Sequence, residues 1–359
     1  MMAANNAGGR IRVLVADDSA VMRSAVSRLL QSDPDIQVVG IAKDGLQAVQ
    51  QVAALNPDVV TLDLEMPVMN GLQALERIMS EAPRPVIMFS SLTVEGAEAT
   101  FDALSLGAFD YVAKPTGYST VTTVRDELVA KVKAAYGSRM RRGTTAAPSS
   151  PAVVPPSKTR VVEVEANISL VCLGTSTGGP AALQRILTKL PGGLPVPVLI
   201  VQHMPPGFTG PFAHRLDGLC ELRVQEAVQG QTLDPRTVSI APAGWQLTVC
   251  RRNGKLAVNL SKEPATLHMP SVDVMMLSAA ETCGNRAMGV ILTGMGCDGA
   301  RGMSTLYASG AVTIGQDERS CAVYGMPRAC AEQGTLHQIL PLDDIPRELV
   351  RAVKAQPKR

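Results

Sequence analysis

The sequence predicts two α/β domains joined by a linker. The first is a doubly wound parallel sheet of five β-α units, and the second has a mainly parallel sheet with a β-hairpin insertion. Three observations carry this reading. Short apolar runs alternate with stretches of helical spacing along both halves. Between residues 138 and 166 that periodicity stops, and basic residues and prolines lie among Ser, Thr and Ala, a composition that favours an extended tether. The length of 359 residues suits two or three domains rather than one. The expected division is a tail over 1–10, a domain over 11–137, a linker over 138–166 and a domain over 167–355.

In the first domain, residues 11–16, 36–41, 58–62, 85–89 and 109–112 are short apolar runs that read as strands. Residues 20–30, 46–55, 72–80, 95–104 and 121–135 repeat apolar positions at helical spacing. In the second domain, 168–173, 197–201, 287–292 and 311–314 read as strands, and 181–190, 212–219, 300–308 and 326–333 as helices. Residues 238–260 look like short antiparallel strands, with Asn253-Gly254 as a hairpin turn.

Composition removes several classes of function. Lys plus Arg number 34 against 32 Asp plus Glu, so no whole-chain field draws nucleic acid or an anionic membrane. Five Phe, five Tyr and one Trp are too few for a base-stacking platform. No apolar run approaches the roughly 18 residues of a membrane span, and residues 1–10 lack a signal-peptide core, so a cytoplasmic protein is expected. Seven Cys without a Cys-x-x-Cys pair read as reduced thiols. Cys297 stands apart, beside a candidate site residue.

Ligands of open α/β sheets bind beyond the carboxyl ends of the strands, so strand-end residues come first. Asp17 and Asp18 end the first strand and Asp63 the third, which gathers three carboxylates in one pocket. Their repulsion demands a raised pKa or a hard cation, most simply Mg²⁺, an ion that commonly works with phosphate. Ser90 ends the fourth strand as a hydroxyl for a phosphoryl oxygen, and Lys114 follows the fifth as a counter-charge. Pro115 keeps Lys114 out of the helical region. Taken singly, a strand-end Asp is also a common helix cap, as Asp18 before Ser19 illustrates.

These residues resemble the phospho-acceptor receiver domains of two-component signalling, through "VLVADDS", "DLEMPVMNGL", "MFSS" and "DYVAKP". The resemblance implies a flavodoxin-like fold in which Asp63 accepts a phosphoryl group from a histidine kinase. It implies that Asp17, Asp18, Asp63 and the backbone carbonyl of Glu65 hold Mg²⁺, and that Ser90 and Lys114 contact the phosphoryl oxygens. Tyr111 takes the family's aromatic switch position, with an ordinary packed ring as the other reading.

In the second domain a strand runs into Gly174-Thr175-Ser176-Thr177-Gly178-Gly179-Pro180 and then a helix. The loop lacks the Gly-Lys-Ser/Thr of a P-loop and the spacing of a dinucleotide site. It fits G-x-S-x-G, which presents Ser176 as a nucleophile at a helix N-terminus, although a capping serine fits too. Such a serine needs a base. His203 follows a strand, His268 in "HMPSVD" is its rival, His214 falls inside a helix and His337 has no strand-end position. Asp298 in "LTGMGCDGA" is the orienting carboxylate or, alternatively, an N-cap. The order Ser, His, Asp differs from that of α/β-hydrolases.

"LGTSTGGP", "VQHMPPGFTGPFA", "HMPSVD" and "LTGMGCDGA" resemble the catalytic domain of the chemotaxis protein-glutamate methylesterases over about residues 168–349. The family's usual Ala is Thr at position 175. The resemblance implies a Ser176–His203–Asp298 triad, an oxyanion hole from amides at Thr177 and Met295, and no cofactor for ester hydrolysis. It implies methylated chemotaxis receptors as substrate, hydrolysis of some receptor glutamines, and control by a receiver that covers the crevice until phosphorylated. It also implies a chemotaxis histidine kinase as phosphodonor and a protein peripheral to the membrane, not inserted in it. Two other classes compete: a receiver-regulated docking protein without catalysis, and an acyl hydrolase of another substrate. A DNA-binding output is disfavoured, because the second half carries no basic helix.

Overall fold

The computed structural model describes residues 9–91, 93–114, 121–143 and 167–354. It divides into two compact units, Met1–Pro148 and Ser149–Arg359. Pro115 and most of the stretch read as a linker lie outside the described residues.

The first unit alternates β1 (Ile11–Ala16), α1 (Ala20–Gln31), β2 (Ile36–Ala42), α2 (Gly45–Leu55), β3 (Val59–Asp63), α3 (Gly71–Glu81), β4 (Val86–Ser90), α4 (Val94–Ser105), β5 (Asp110–Ala113) and α5 (Val121–Gly143). All pairings are parallel, in the order β2-β1-β3-β4-β5. The order reverses at β1, so the crevice between the ends of β1 and β3 is where a ligand is expected. Helix starts are set by short polar side chains. Ser19, Asp44 and Thr93 each accept an amide of the first turn, and Asn70 with Gln73 forms a reciprocal capping box. Val13, Val15, Ile87, Phe89, Val112 and Leu128 pack one face of the sheet. Helix α5 continues to Gly143, into the stretch that composition assigns to the linker.

In the second unit β6 (Leu170–Thr175) lies mid-sheet, followed by α6 (Gly179–Leu187), β7 (Val198–Gln202), α7 (Thr209–Asp217), β8 (Arg223–Glu226) and β9 (Thr237–Ile240). Then come the ribbon β10 (Gln246–Arg252) and β11 (Lys255–Ser261), α8 (Val272–Cys283), β12 (Ala287–Ile291), α9 (Ala300–Ala308), β13 (Val312–Gln316), α10 (Met326–Glu332), β14 (Gln338–Leu340) and α11 (Ile345–Lys354). The sheet order is β14-β13-β12-β6-β7-β9-β8, parallel throughout. Its order reverses beside β6, and the ends of β6, β7 and β12 face one crevice. The ribbon turns at Asn253-Gly254, where φ is 50° and 77°, the left-handed pair a tight hairpin requires.

Two sequence readings are corrected here. Residues 237–240 are not part of the antiparallel ribbon, because β9 joins the main sheet in parallel with β7 and β8. The helices α8 and α11 and the strands β8 and β14 add to the predicted set. Among the described residues no helix is long and apolar enough to cross a membrane.

Candidate active site

Ser176 sits in the turn between β6 and α6. The cap of α6 is Gly178, at φ 75° and with no side-chain cap bond, so Ser176 is not spent as a cap. Its amide donates to the Thr293 carbonyl at 3.1 Å, and the Thr175 hydroxyl donates to the same oxygen at 2.7 Å. Thr175, the departure from the usual Ala, therefore tightens the turn on its inner side. Gly294 is required by close approach. A Cβ there would stand 2.2 Å from Met326 Sδ and 2.9 Å from Ser176 Cβ.

His203 follows β7, and its amide donates to the Thr175 carbonyl at 3.1 Å. Gln202, buried at the end of β7, donates from Nε2 to the carbonyls of both Ser176 (3.0 Å) and His203 (2.9 Å), fixing the two backbones together. Sequence reading passed over this glutamine, although its place at a strand end beside a histidine marks it out.

Asp298 is not the N-cap of the helix that follows, since Gly299 takes that place in α9. It instead seals the start of α8. Its carboxylate accepts from the amides of Val272 (2.7 Å) and Asp273 (3.0 Å), from Ser271 Oγ (2.8 Å) and from His203 Nε2 (2.8 Å). Burial pushes its carboxyl up, but the bonds from His203 and from these amides outweigh it and hold the group at about 2. An ionised Asp298 accepts only, so Nε2 carries the ring proton in neutral His203 and Nδ1 holds the lone pair. Nδ1 is buried with no hydrogen-bond partner. No hydrogen bond joins it to Ser176 Oγ among the described residues, a contact that commonly tightens only when substrate binds. The amides of Thr177 and Met295 are likewise engaged in no hydrogen bond among the described residues.

His268 stacks on His203, whereas His214 lies within α7 and His337 is bonded through Nδ1 to Thr313. Cys297, beside Asp298, is exposed; Cys172, Cys283, Cys321 and Cys330 are buried, and none of the seven cysteines is in a disulfide among the described residues.

In the first unit, Asp17, Asp18 and Asp63 each offer a carboxylate oxygen, all within 4.8 Å of one another. Ser19 takes the cap of α1 and leaves Asp18 exposed at the pocket. Lys114 Nζ lies 2.7 Å from Asp63 Oδ2 and 3.6 Å from Asp17 Oδ2. Asp17 Oδ2 is buried and has no hydrogen-bond partner. An all-oxygen set with an orphaned buried carboxylate oxygen fits a hard divalent cation. Burial pushes Asp63 up to about 6, against the opposing pull of Lys114 and the Glu65 amide. Lys114 is itself held above the ordinary lysine value, because its ion pairs outweigh its burial. Burial dominates at the enclosed carboxylate, and pairing at the partly exposed ammonium.

The loop after β3 must turn back closely. A Cβ on Gly71 would lie 2.1 Å from the Asp63 carbonyl oxygen. Exposed Glu65 follows in that loop. Ser90 is fully buried, and its hydroxyl donates to the Gly96 carbonyl at 3.0 Å and accepts from Thr100 Oγ1 at 2.7 Å, so it is engaged with α4. Tyr111 is buried on the edge strand β5, with Lys131 Nζ 5.2 Å from its ring centroid.

The second unit thus carries a serine in a strand-to-helix turn near a carboxylate-paired imidazole, the constellation of a serine hydrolase, and the first carries an acidic strand-end pocket. Residues 171–349 match the family model described as CheB methylesterase, and residues 13–124 match the response regulator receiver domain. The chain is 43% identical over 352 residues to protein-glutamate methylesterase/protein-glutamine glutaminase 1 of Geobacter sulfurreducens, covering 95% of this chain and 97% of that one. A relative of the same name from Caulobacter vibrioides is 46% identical over 348 residues, covering 97% and 99%. The crystal structure of the Thermotoga maritima CheB methylesterase catalytic domain matches with TM-score 0.50 at 40% identity, covering 51% of this chain and 98% of that one. The chain belongs to the CheB methylesterase family, with a receiver domain ahead of the methylesterase domain.

Proposed function

We propose that the chain is a phosphorylation-activated serine hydrolase that cleaves glutamate γ-methyl esters on methyl-accepting chemotaxis receptors and deamidates receptor glutamines. The observation that carries it is His203 held on Asp298 at 2.8 Å with its other nitrogen buried and unpaired, while Gln202 ties the backbones of His203 and Ser176 together. Ser176 Oγ attacks the ester carbonyl carbon while its proton passes to His203 Nδ1. Asp298 keeps the ring proton on Nε2 and stabilises the imidazolium, and the amides of Thr177 and Met295 stabilise the oxyanion. The proton on Nδ1 then goes to the leaving methoxide, releasing methanol. His203 next takes a proton from water, whose oxygen attacks the acyl-enzyme, and gives that proton to Ser176 Oγ as the serine–acyl bond breaks and the carboxylic acid leaves, ionising in water. A glutamine follows the same course with ammonia as the leaving group.

In this reading residues 11–137 form the receiver domain, 138–166 the linker and 167–355 the catalytic domain. A chemotaxis histidine kinase phosphorylates Asp63, with Ser90 and Lys114 serving the phosphoryl oxygens and Tyr111 the switch. Ser90 must then leave the Gly96 carbonyl, which ties phosphorylation to the first turns of α4. Asp17, Asp18, Asp63 and the Glu65 carbonyl would hold Mg²⁺. When bound, the ion neutralises the pocket and supplies charge for the incoming phosphoryl group. Ester hydrolysis uses no cofactor, and the protein acts in the cytoplasm on the receptors' soluble parts.

Incubating methyl-esterified receptor with the chain tests this reading. Methanol should appear in step with loss of ester, whereas stable binding without methanol would identify a docking protein.

The acidic pocket carries its own prediction. A proton bound at Asp63 competes with a cation, and a carboxyl raised to about 6 keeps that proton well above the pH at which an unfolded Asp releases it. Without divalent ions, this group's contribution to stability falls as pH rises from about 4 to about 6 and is flat above. Mg²⁺ should therefore raise the receiver's melting temperature at about pH 7.5 and have little effect near pH 5. Asp17→Asn should lose the Mg²⁺ response. An equal Mg²⁺ increment at both pH values would contradict the assignment.

A further inference from the structure

The His203 ring is fixed by a hydrogen bond at one nitrogen only: Nε2 rests on Asp298 and Nδ1 has no partner. A single bond leaves the ring free to swing about its own axis, because the outer torsion of histidine is broad. The missing restraint is supplied by His268, whose ring lies face to face with His203, centroids 4.1 Å apart and planes 15° from parallel.

The segment carrying His268 is held through its main chain. Gln246 Nε2 and Thr266 Oγ1 donate to the His268 carbonyl at 3.2 and 2.6 Å, and the Gly244 amide donates to the Met269 carbonyl at 2.8 Å. Gln246 is fully buried and also accepts the Ser271 amide at 2.9 Å, which links this segment to the start of α8, where Asp298 is anchored. The imidazole of His268 is thus not needed to hold the segment, yet the segment delivers it onto the base. Burial, and then the neighbouring His203, hold the His268 ring below the usual imidazole range against the opposing pull of Asp298, so at neutral pH it offers a neutral π face. Such a face is compatible with a cation forming on the stacked ring.

We propose that His268 is a positioning residue. Its stacked ring fixes the plane of the His203 imidazole, keeping Nε2 on Asp298 and Nδ1 for Ser176, and it stabilises the imidazolium formed during acyl transfer. The inference rests on the reading of Ser176 as nucleophile and His203 as base. His268 itself moves no proton.

The test uses the full chain and three variants: His268→Phe keeps a flat ring, His268→Leu keeps volume without one, and His268→Ala keeps neither. Three quantities are measured: kcat and KM for receptor methyl-ester hydrolysis, the rate at which a small fluorophosphonate labels Ser176, and the ¹H–¹⁵N resonance of His203 Nε2–H. The Phe variant should stay within about threefold of wild type with a sharp resonance. The Leu and Ala variants should lose about tenfold in kcat and in labelling rate, equivalent to about 1.4 kcal/mol, with KM unchanged and the resonance broadened by exchange with water.

Unchanged kcat and labelling in both Leu and Ala variants would overturn the proposal. So would a Phe variant as poor as Ala, which would assign the role to the ring nitrogens of His268. A wild-type chain that labels at Ser176 but releases no methanol would defeat the ester reading alone, leaving labelling and resonance to judge His268.

Discussion

Ser176→Ala should abolish methyl-ester hydrolysis, with a loss in kcat of about 10⁶-fold, as removal of the nucleophile of a serine triad typically gives. The serine stands in a turn whose restraints are all made by other atoms: its own amide to Thr293, the Thr175 hydroxyl, and Gln202 on its carbonyl. Removing Oγ leaves these intact, so the unfolding midpoint should hardly move. The oxyanion amides and the binding crevice would remain, which leaves a small residual rate over water. Mass spectrometry after fluorophosphonate treatment should show one adduct on the wild type and none on the variant. A variant that keeps both fold and methanol release would require another nucleophile.

Asp298→Asn should cost about 10⁴-fold in kcat, the size of effect seen when a triad carboxylate becomes an amide. The cause is a reversal of the proton pattern. Asp298 accepts from His203 Nε2, Ser271 Oγ and the amides of Val272 and Asp273, and an asparagine cannot accept at all these points. If its NH₂ faces His203, Nε2 must accept and the ring proton moves to Nδ1, the atom needed to take the serine proton. The same change weakens the fold. A carboxyl held at about 2 against an ordinary 3.8 contributes about 2 kcal/mol at neutral pH. The sign follows from a lowered folded pKa: this stability is present above about pH 4 and lost as pH falls through about 2. Urea unfolding of wild type and Asp298→Asn should therefore differ at pH 7 and converge towards pH 2 to 3.

The sequence made the strand ends legible because they carry both an apolar run and the first polar residues after it. Asp17, Asp18, Asp63, Ser176 and His203 stand within or just after such runs, whereas Asp298 comes seven residues beyond the end of β12. Their rival assignment as helix caps fails for a local reason, since Ser19, Gly178 and Gly299 take those places. For Asp298 the rival was half correct: it does receive helix amides, but those of α8, far away in sequence.

Helix α8 was not read although its buried Val272, Met275, Met276, Ala279 and Ala280 repeat at helical spacing, because Val274 and Leu277 on its other face are apolar too and weaken the contrast between faces. The direction of β9 was equally hidden, since four residues reading Thr-Val-Ser-Ile carry no sign of parallel or antiparallel pairing. Nor does a sequence reveal side-chain partners. Gln202 bridging Ser176 and His203, Ser90 bonded to α4 and the stacking of the two histidines depend on contacts between distant segments.

In the proposed function an aspartyl phosphate at Asp63 controls acyl transfer at Ser176 on the same chain. Methanol release from methylated receptor, followed with and without a small phosphodonor plus Mg²⁺, tests it in wild type, Asp63→Asn and Ser176→Ala. The phosphodonor should accelerate wild type, leave Asp63→Asn at its basal rate and draw no methanol from Ser176→Ala. Stimulation of Asp63→Asn equal to that of wild type, or release from Ser176→Ala equal to wild type, would contradict it.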